Sequence, residues 1–395
     1  MTKNNYNIKY KLESGTKKKI EILDGNQSAA WGARLARVEY VPCFPITPQT
    51  ELIETIAQWK ADGDFPGIFE QVDSEHSVMS AALGSAATGA RTFTASSSQG
   101  LLLMHEILPN VSGCRLPMVF VNVSRAISAP ISLWPDHNDM FAVKDSGWIM
   151  VVSETNQEVL DSVIMGFDIS EHEDILLPVF VNMDGFVHSF TREEVEIPDQ
   201  SVVDVFIPKK ELKVKLDVDK PKSLGIPALN EYMDFRSQHH KAMLDSIKVI
   251  EKCHEKWAAL TGRKYDFFEE YKTKDAEDII IMLGANSTIG KSAVDKLRKK
   301  GKKVGLLRVR VLRPLHESLL RKKLEKAKRI GIVDQNISPG SSGALFQEVR
   351  SALYGMKPKI SNYIVGLGGK PVQDKDFMDI FDDIKKGKEV RKWLM

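Results

Sequence analysis

Short apolar runs alternate with longer amphipathic or alanine-rich stretches along most of the chain. Tyr40 to Phe44, Gly67 to Val72, Thr92 to Ala95, Met118 to Val123, Trp148 to Val152 and Leu177 to Asn182 are rich in Val, Ile and Phe. Each is too short for a helix and suits a buried strand. Between them lie Thr50 to Ala61, Ser77 to Gly89, Gly100 to Val111 and Gln157 to Phe167, which fit helices. Strands spaced by helices of this length predict an α/β fold, with a largely parallel sheet covered on both faces.

The pattern changes at Val195 to Leu229, where Pro198, Pro208, Pro221 and Pro227 stand among alternating charges. This predicts an extended connection. A long helical stretch, Glu231 to Leu260, follows. A second α/β pattern starts at Asp278, with strands expected at Asp278 to Leu283, Lys303 to Val309, Arg329 to Val333 and Asn362 to Val365. Helices are expected at Thr288 to Lys300, Pro314 to Ala327 and Gly343 to Leu353. The boundary falls near residue 270, and residues 1–20 read as an arm.

Composition narrows the class. The 395 residues carry 55 basic and 53 acidic side chains, a net charge of +2. Nucleic-acid binding needs a concentrated basic surface, so such a partner is not expected. No apolar run reaches the ~20 residues of a membrane span, and the polar start lacks a signal core, which points to the cytoplasm. Cys43, Cys114 and Cys253 form no CxxC pair, against a disulfide framework or a structural zinc site. An iron–sulfur cluster takes four thiolates. Any cluster serving this chain would therefore sit in a partner.

Several strand-to-helix turns carry polar groups. In Phe44-Pro45-Ile46-Thr47-Pro48, Thr47 suits an N-cap and Pro48 the first helical position. The same N-terminus could hold a carboxylate. Glu75 follows Asp73 and Ser74, which suit a cap, and sits in the favourable first turn; His76 reads as a surface or packed histidine. Thr94 to Gly100 clusters hydroxyls with Gln99. Arg125 leaves a strand, either as a surface ion-pair partner or as a bidentate carboxylate binder. His137 lies between Asp136 and Asp139, but no second histidine cluster completes a metal site. Ala285-Asn286-Ser287-Thr288-Ile289-Gly290-Lys291-Ser292 approximates a phosphate-binding loop, with alanine where the first glycine belongs. Ile330 to Asp334 could then be its magnesium-holding acidic strand.

A broader resemblance covers residues 21–380. Gly25-Asn26, Pro45 to Thr50, Ser74-Glu75-His76-Ser77 and Ser97-Ser98-Gln99-Gly100-Leu101 resemble the α subunit of pyruvate:ferredoxin oxidoreductases. So do Arg125 to Pro130, Asp136 to Asp139, Asp145 to Trp148, Leu177 to Phe186, Lys303 to Leu307, Asp334 to Ser338 and Val365 to Gly369. The resemblance implies a thiamine-diphosphate-binding fold: a pyrimidine-type domain with its extended connection over residues 21–270, and a transketolase C-terminal-like α/β domain over 271–395, whose first turn is not a phosphate loop. It implies that Glu75 hydrogen-bonds N1′ of the thiamine aminopyrimidine in a water-poor pocket. Thr47 and Arg125 would bind the 2-oxoacid carboxylate, with Phe44, Pro45, Ser98 and Gln99 against the cofactor and no metal ligand in this chain.

The implied reaction is reversible oxidative decarboxylation of pyruvate to acetyl-CoA and CO2, with coenzyme A as co-substrate and electrons passed to ferredoxin. Thiamine diphosphate would be shared with a β subunit that also holds Mg2+. The [4Fe–4S] clusters would lie in partners among the β, γ and δ subunits. Relatives acting on branched-chain 2-oxoacids or oxalate remain alternatives, as does an architectural subunit with a degenerate site. Two departures stand out. Phe44 replaces the family's usual tyrosine, and Trp134-Pro135 replaces Trp-Asn.

Overall fold

A computed structural model describes residues 19–209, 211–225 and 230–395. The expected arm lies outside these except at its end, where Lys19 and Ile20 already belong to a strand. The strands are β1 (Lys19–Leu23), β2 (Tyr40–Cys43), β3 (Ile68–Gln71), β4 (Phe93–Ser96), β5 (Val119–Ser124), β6 (Ile149–Val152), β7 (Val179–Asp184) and β8 (Glu193–Ile197), then β9 (Phe268–Tyr271), β10 (Asp278–Met282), β11 (Val304–Val309), β12 (Val311–Arg313), β13 (Arg329–Asp334), β14 (Lys359–Ile364) and β15 (Arg391–Trp393).

The first sheet has the order β12-β6-β7-β5-β4. The pair β2-β3 extends it, because a parallel bridge joins Tyr40 to Thr92 beside β4. All its strands are parallel except β12. Strands β4, β5, β6 and β7 are buried at every position, as both-face cover requires. The second sheet runs β15-β14-β13-β10-β11-β9, antiparallel only at β9. Strand β12 crosses between the two halves: it follows β11 of the second sheet but pairs with β6 of the first.

The helices follow their local signals. Asp24 caps Gly25–Leu35 by accepting from Gln27 N at 2.9 Å, with Gln27 reaching back to Asp24 N. Thr155 caps Asn156–Ser170, whose burial on nearly all sides fits its place between layers. Some expectations fail at chain breaks. Gly100 to Val111 is two helices, Ser98–Leu103 and Leu108–Gly113, because the chain turns at Met104 to Ile107. Pro314 to Ala327 keeps only Glu317–Lys323 as helix. The connection from Val195 opens with the end of β8 and a helix, Gln200–Phe206, before becoming irregular. Among the described residues no helix is long and apolar enough to cross a membrane.

Candidate active site at the strand carboxyl ends

In the first sheet the chain goes outward from β2 to β3, then crosses back to β4 on the other side of β2. That reversal is a topological switch point, where the loops leaving neighbouring strands part and open a crevice. The loops after β2, β3, β4 and β5 carry Thr47, Glu75, Gln99 and Arg125.

The loop after β2 corrects one expectation. Thr47 is not an N-cap and Pro48 is not the first helical residue; the helix is Thr50–Asp62, with Gln49 before it. The reason is Gln49 itself. Its buried side chain donates to Ala95 O at 3.0 Å and its backbone N donates to Ile46 O at 2.8 Å, which closes Ile46 to Gln49 as a separate turn. Asn26 donates to Pro48 O at 2.9 Å from beneath. Phe44 is half-buried against the core, while Pro45 and Thr47 are exposed on the rim.

Glu75 begins the helix Glu75–Ala87, and Ser74 caps it by accepting from Ser77 N. The Glu75 side chain turns inward and is buried. It lies over Gly100, where an added Cβ would sit 2.5 Å from both Glu75 Oε1 and Ser96 Oγ. Only glycine leaves room for the carboxylate here. His76 stays on the helix surface and faces Glu106 at 3.4 Å.

Arg125 is buried and makes a bridge. One Nη donates to Thr47 O at 2.6 Å and the other to Gln99 Oε1 at 2.6 Å. Thr47 thus joins the site through its carbonyl. Ser98 Oγ lies 2.7 Å from both Gln99 Oε1 and Ala126 O, one proton between two acceptors. Burial pulls the Arg125 pKa down, against the Asp139 and Glu75 carboxylates nearby; guanidinium remains charged. Four polar atoms of this cluster, Ser96 Oγ, Ser97 Oγ, Gln99 Nε2 and Arg125 Nε, are buried without a hydrogen-bond partner among the described residues. Buried polar groups normally find a partner, in ordered water or a bound molecule where the protein offers none.

Sequence reasoning missed the part played by Asp136 to Asp139. Asp139 is fully buried and accepts from Ser98 N (3.1 Å), Asn122 Nδ2 (3.2 Å), Ser124 Oγ (2.6 Å), Arg125 N (3.0 Å) and Met140 N (2.6 Å). Its neighbours face the second half of the chain. Gly368 N donates to Asp136, Ile337 N to Asn138 Oδ1 at 3.0 Å, and His137 N to Gln335 O at 2.8 Å. His137 Nε2 pairs with Asp184 Oδ1 at 2.6 Å in a fully buried contact. Burial lowers the His137 pKa, but Asp184 outweighs it and the net shift is upward; Asp184 moves down for the same reason. The signal lay in four consecutive hydrogen-bonding side chains between apolar stretches.

The same pair explains the phosphate-loop likeness. Ala285 N donates to Asp184 Oδ2 at 2.7 Å, and a Cβ at Gly284 would sit 2.7 Å from that oxygen and 2.8 Å from His137. The turn is a docking contact. Lys291 is spent on Glu154 (2.6 Å) and Glu269 (2.5 Å), and Thr288 on Glu154. Arg308 joins them, meeting Glu154, Glu158 and Glu269 within 2.9 Å. Asp334 accepts from Leu345 N, Phe346 N, Asn336 and Asn362, so its lone pairs are taken. The polar groups of this turn and of Asp334 are thus taken up within the chain, which counts against the remote nucleotide-binding alternative.

Comparisons with known proteins agree with this architecture. Residues 31–255 match the family described as "Pyruvate flavodoxin/ferredoxin oxidoreductase, thiamine diP-bdg", and residues 276–377 match "Pyruvate:ferredoxin oxidoreductase core domain II". The chain is 42% identical over 354 residues to pyruvate synthase subunit PorA of Methanothermobacter thermautotrophicus, covering 89% of this chain and 92% of that one. It is equally 42% identical, over 372 residues, to ketoisovalerate oxidoreductase subunit VorA of Pyrococcus furiosus, covering 93% and 94%. Among solved structures, the 2-oxoglutarate:ferredoxin oxidoreductase of Magnetococcus marinus superposes with a TM-score of 0.73 at 20% identity, over 93% of this chain. The chain spans 65% of that protein's length, and the likeness speaks for the fold.

Proposed function

The chain belongs to the pyruvate flavodoxin/ferredoxin oxidoreductase family, and from that premise we propose that it is the α subunit of a complex oxidising pyruvate to acetyl-CoA and CO2 with ferredoxin as acceptor. The observation that carries this reading is one arrangement: a buried carboxylate, Glu75, beside a buried guanidinium, Arg125, at the switch point of a thiamine-diphosphate-binding fold.

The residues fit the cofactor. Gly100 opens the space in which the Glu75 carboxylate lies, and orphaned hydroxyl and amide groups surround it. Bound thiamine diphosphate supplies the carbanion chemistry that cleaves the bond between a 2-oxoacid's carboxylate and its ketone carbon. Glu75 holds the proton exchanged with the aminopyrimidine N1′, and the buried surroundings keep water away from it. Gln99 Nε2, with Arg125 holding the amide oxygen, is the donor toward the cofactor or substrate. Pro45 and Phe44, on the same loop as Thr47, would lie against the cofactor.

Arg125 binds the substrate carboxylate. Its Nη groups are held by Thr47 and Gln99, which presets the guanidinium, while Nε has no partner among the described residues. The exposed Thr47 side chain completes the clamp. The rim beside it exposes Ile131, Leu133, Trp134 and Phe190, with Trp134 and Phe186 rings 4.5 Å apart. An apolar surface of this kind is usually covered, here by a β subunit that brings Mg2+ and the diphosphate site, with γ and δ subunits and the clusters beyond. The 42% identity to a ketoisovalerate subunit supports a second reading, a branched-chain 2-oxoacid as substrate.

Turnover of the purified complex with a panel of 2-oxoacids, coenzyme A and ferredoxin tests both. Pyruvate should give the highest kcat/KM, and a branched-chain preference would replace the first reading by the second. Arg125→Ala should raise the 2-oxoacid KM by about 10- to 100-fold and spare that of coenzyme A, since a charged hydrogen bond contributes ~1.5–3 kcal/mol. Equal effects on both substrates would refute the carboxylate role.

A further inference from the structure

We propose that Asp139 is a positioning residue for 2-oxoacid binding, its buried carboxylate locking the loop that carries Gln99 and the loop that carries Arg125 into one register. The inference rests on the carboxylate-binding role given to Arg125 above. The geometry is specific. Asp139 Oδ2 accepts the backbone N–H of Ser98, one residue before Gln99, and that of Arg125 itself. Those two loops leave neighbouring strands, β4 and β5. Gln99 Oε1 and Arg125 Nη2 then meet at 2.6 Å, and Gln99 Nε2 and Arg125 Nε are buried donors without a partner among the described residues.

Asp139 meets five donors with two oxygens, more than the roughly four lone-pair sites of an ionised carboxylate, so every site is engaged. An asparagine would offer one acceptor and turn an NH2 group toward donors. Burial pushes the Asp139 pKa up, against the hydrogen bonds from Ser124, Arg125, Ser98 and Asn122 that favour its ionised form.

The anchor is set from outside the site. Asp139 stands in the short helix Asn138–Ala142, whose start is held by Gln335 O, Ile337 N and Gly368 N of the second half.

The test uses the assembled complex. Asp139→Asn should raise the 2-oxoacid KM about tenfold or more and leave the coenzyme A KM within about twofold. Without any substrate, hydrogen exchange in peptides containing the Ser98 and Arg125 amides should accelerate. In an Arg125→Ala background, Asp139→Asn should change the 2-oxoacid KM by less than about twofold, because residues acting through one another are non-additive. Asn138→Ala, which cuts one of the ties that hold the start of this helix, should raise the 2-oxoacid KM in the same direction as Asp139→Asn but by less, and leave the coenzyme A KM near the parent's. If Asp139→Asn fails to assemble, Ser124→Ala removes one 2.6 Å bond to the same carboxylate and should produce a smaller change in the same direction. Unchanged exchange at Ser98 and Arg125, or fully additive KM effects, would overturn the proposal. Failure of the carboxylate role shows separately, as an Arg125→Ala single variant with a normal 2-oxoacid KM.

Discussion

Gly100→Ala separates the site's geometry from the fold's stability. The new Cβ would meet Glu75 Oε1 and Ser96 Oγ at 2.5 Å and Glu75 Cγ at 2.8 Å. An ordinary contact begins at 3.4 Å, so the carboxylate must retreat by about 0.9 Å. The stability change should be small: alanine in place of glycine gains up to ~1 kcal/mol of helix propensity in Ser98–Leu103, against ~1–3 kcal/mol for local overpacking. Catalysis is far less tolerant. A displacement near 1 Å of a positioned group can cost ~10²-fold in rate, about 2.7 kcal/mol. The assay is steady-state acetyl-CoA formation by the complex, with a melting curve on the same sample. The expected result is a melt within a few degrees of the parent and kcat reduced by about two orders of magnitude. Turnover within about threefold of the parent, with assembly intact, would show that Glu75 does not need its observed place.

Arg308→Ala should be among the most damaging changes far from the site. It strips the largely buried Glu158 of its close cation and leaves Glu154 with Lys291 alone, and costs ~3–5 kcal/mol, readable as a lowered denaturation midpoint; the more exposed Glu269 adds little. Lys291→Ala should destabilise in the same direction, and the chain should bind ATP no better than that variant by equilibrium dialysis, as the lysine is held by Glu154 and Glu269. The His137–Asp184 pair predicts a pH signature. Since His137 is held above its ordinary 6.5 by Asp184, and further by Asp136 and Asp139, its stabilising contribution is complete below about pH 6.5 and fades as pH rises through the shifted value. Asp184, held down, contributes above about pH 4 and loses this below. Thermal melts of parent and His137→Gln from acid to alkaline pH should therefore converge on the alkaline side; a constant difference would contradict the ion pair.

Much of the fold was legible because parallel strands are short apolar runs between helices, and β2 to β7, β10, β11 and β13 stand within two residues of their expected ends. Strands β1, β8, β9, β12 and β15 were not, being mostly short, edge-lying and partly polar, so they lack the buried run that marks a central strand. The helix Gly25–Leu35 was also passed over. At the site, Glu75, Gln99 and Arg125 could be placed on strand ends, since that is where α/β folds put chemistry. What the pattern could not give was pairing across the chain. The turn at Ile46 to Gln49 depends on Ala95, Asp139 on Ser98 and Arg125, and Gly284 on Asp184; each partner is distant in sequence. The phosphate-loop likeness could be discounted from its missing first glycine and the wider resemblance, but only the fold reveals that Lys291 is already neutralised.

Strand β12 makes the chain hard to divide. The strand lies beyond residue 300, yet it closes the edge of a sheet otherwise finished by Asp184. A fragment ending near residue 270 would leave β6, apolar at all four positions, with an open row of backbone donors and acceptors. Such an edge recruits other strands. The fragment should aggregate rather than fold, and the matching C-terminal piece would carry a short strand with nothing to pair. Whatever selection acts on the two halves, a gene encoding this chain has reason to keep them in one reading frame.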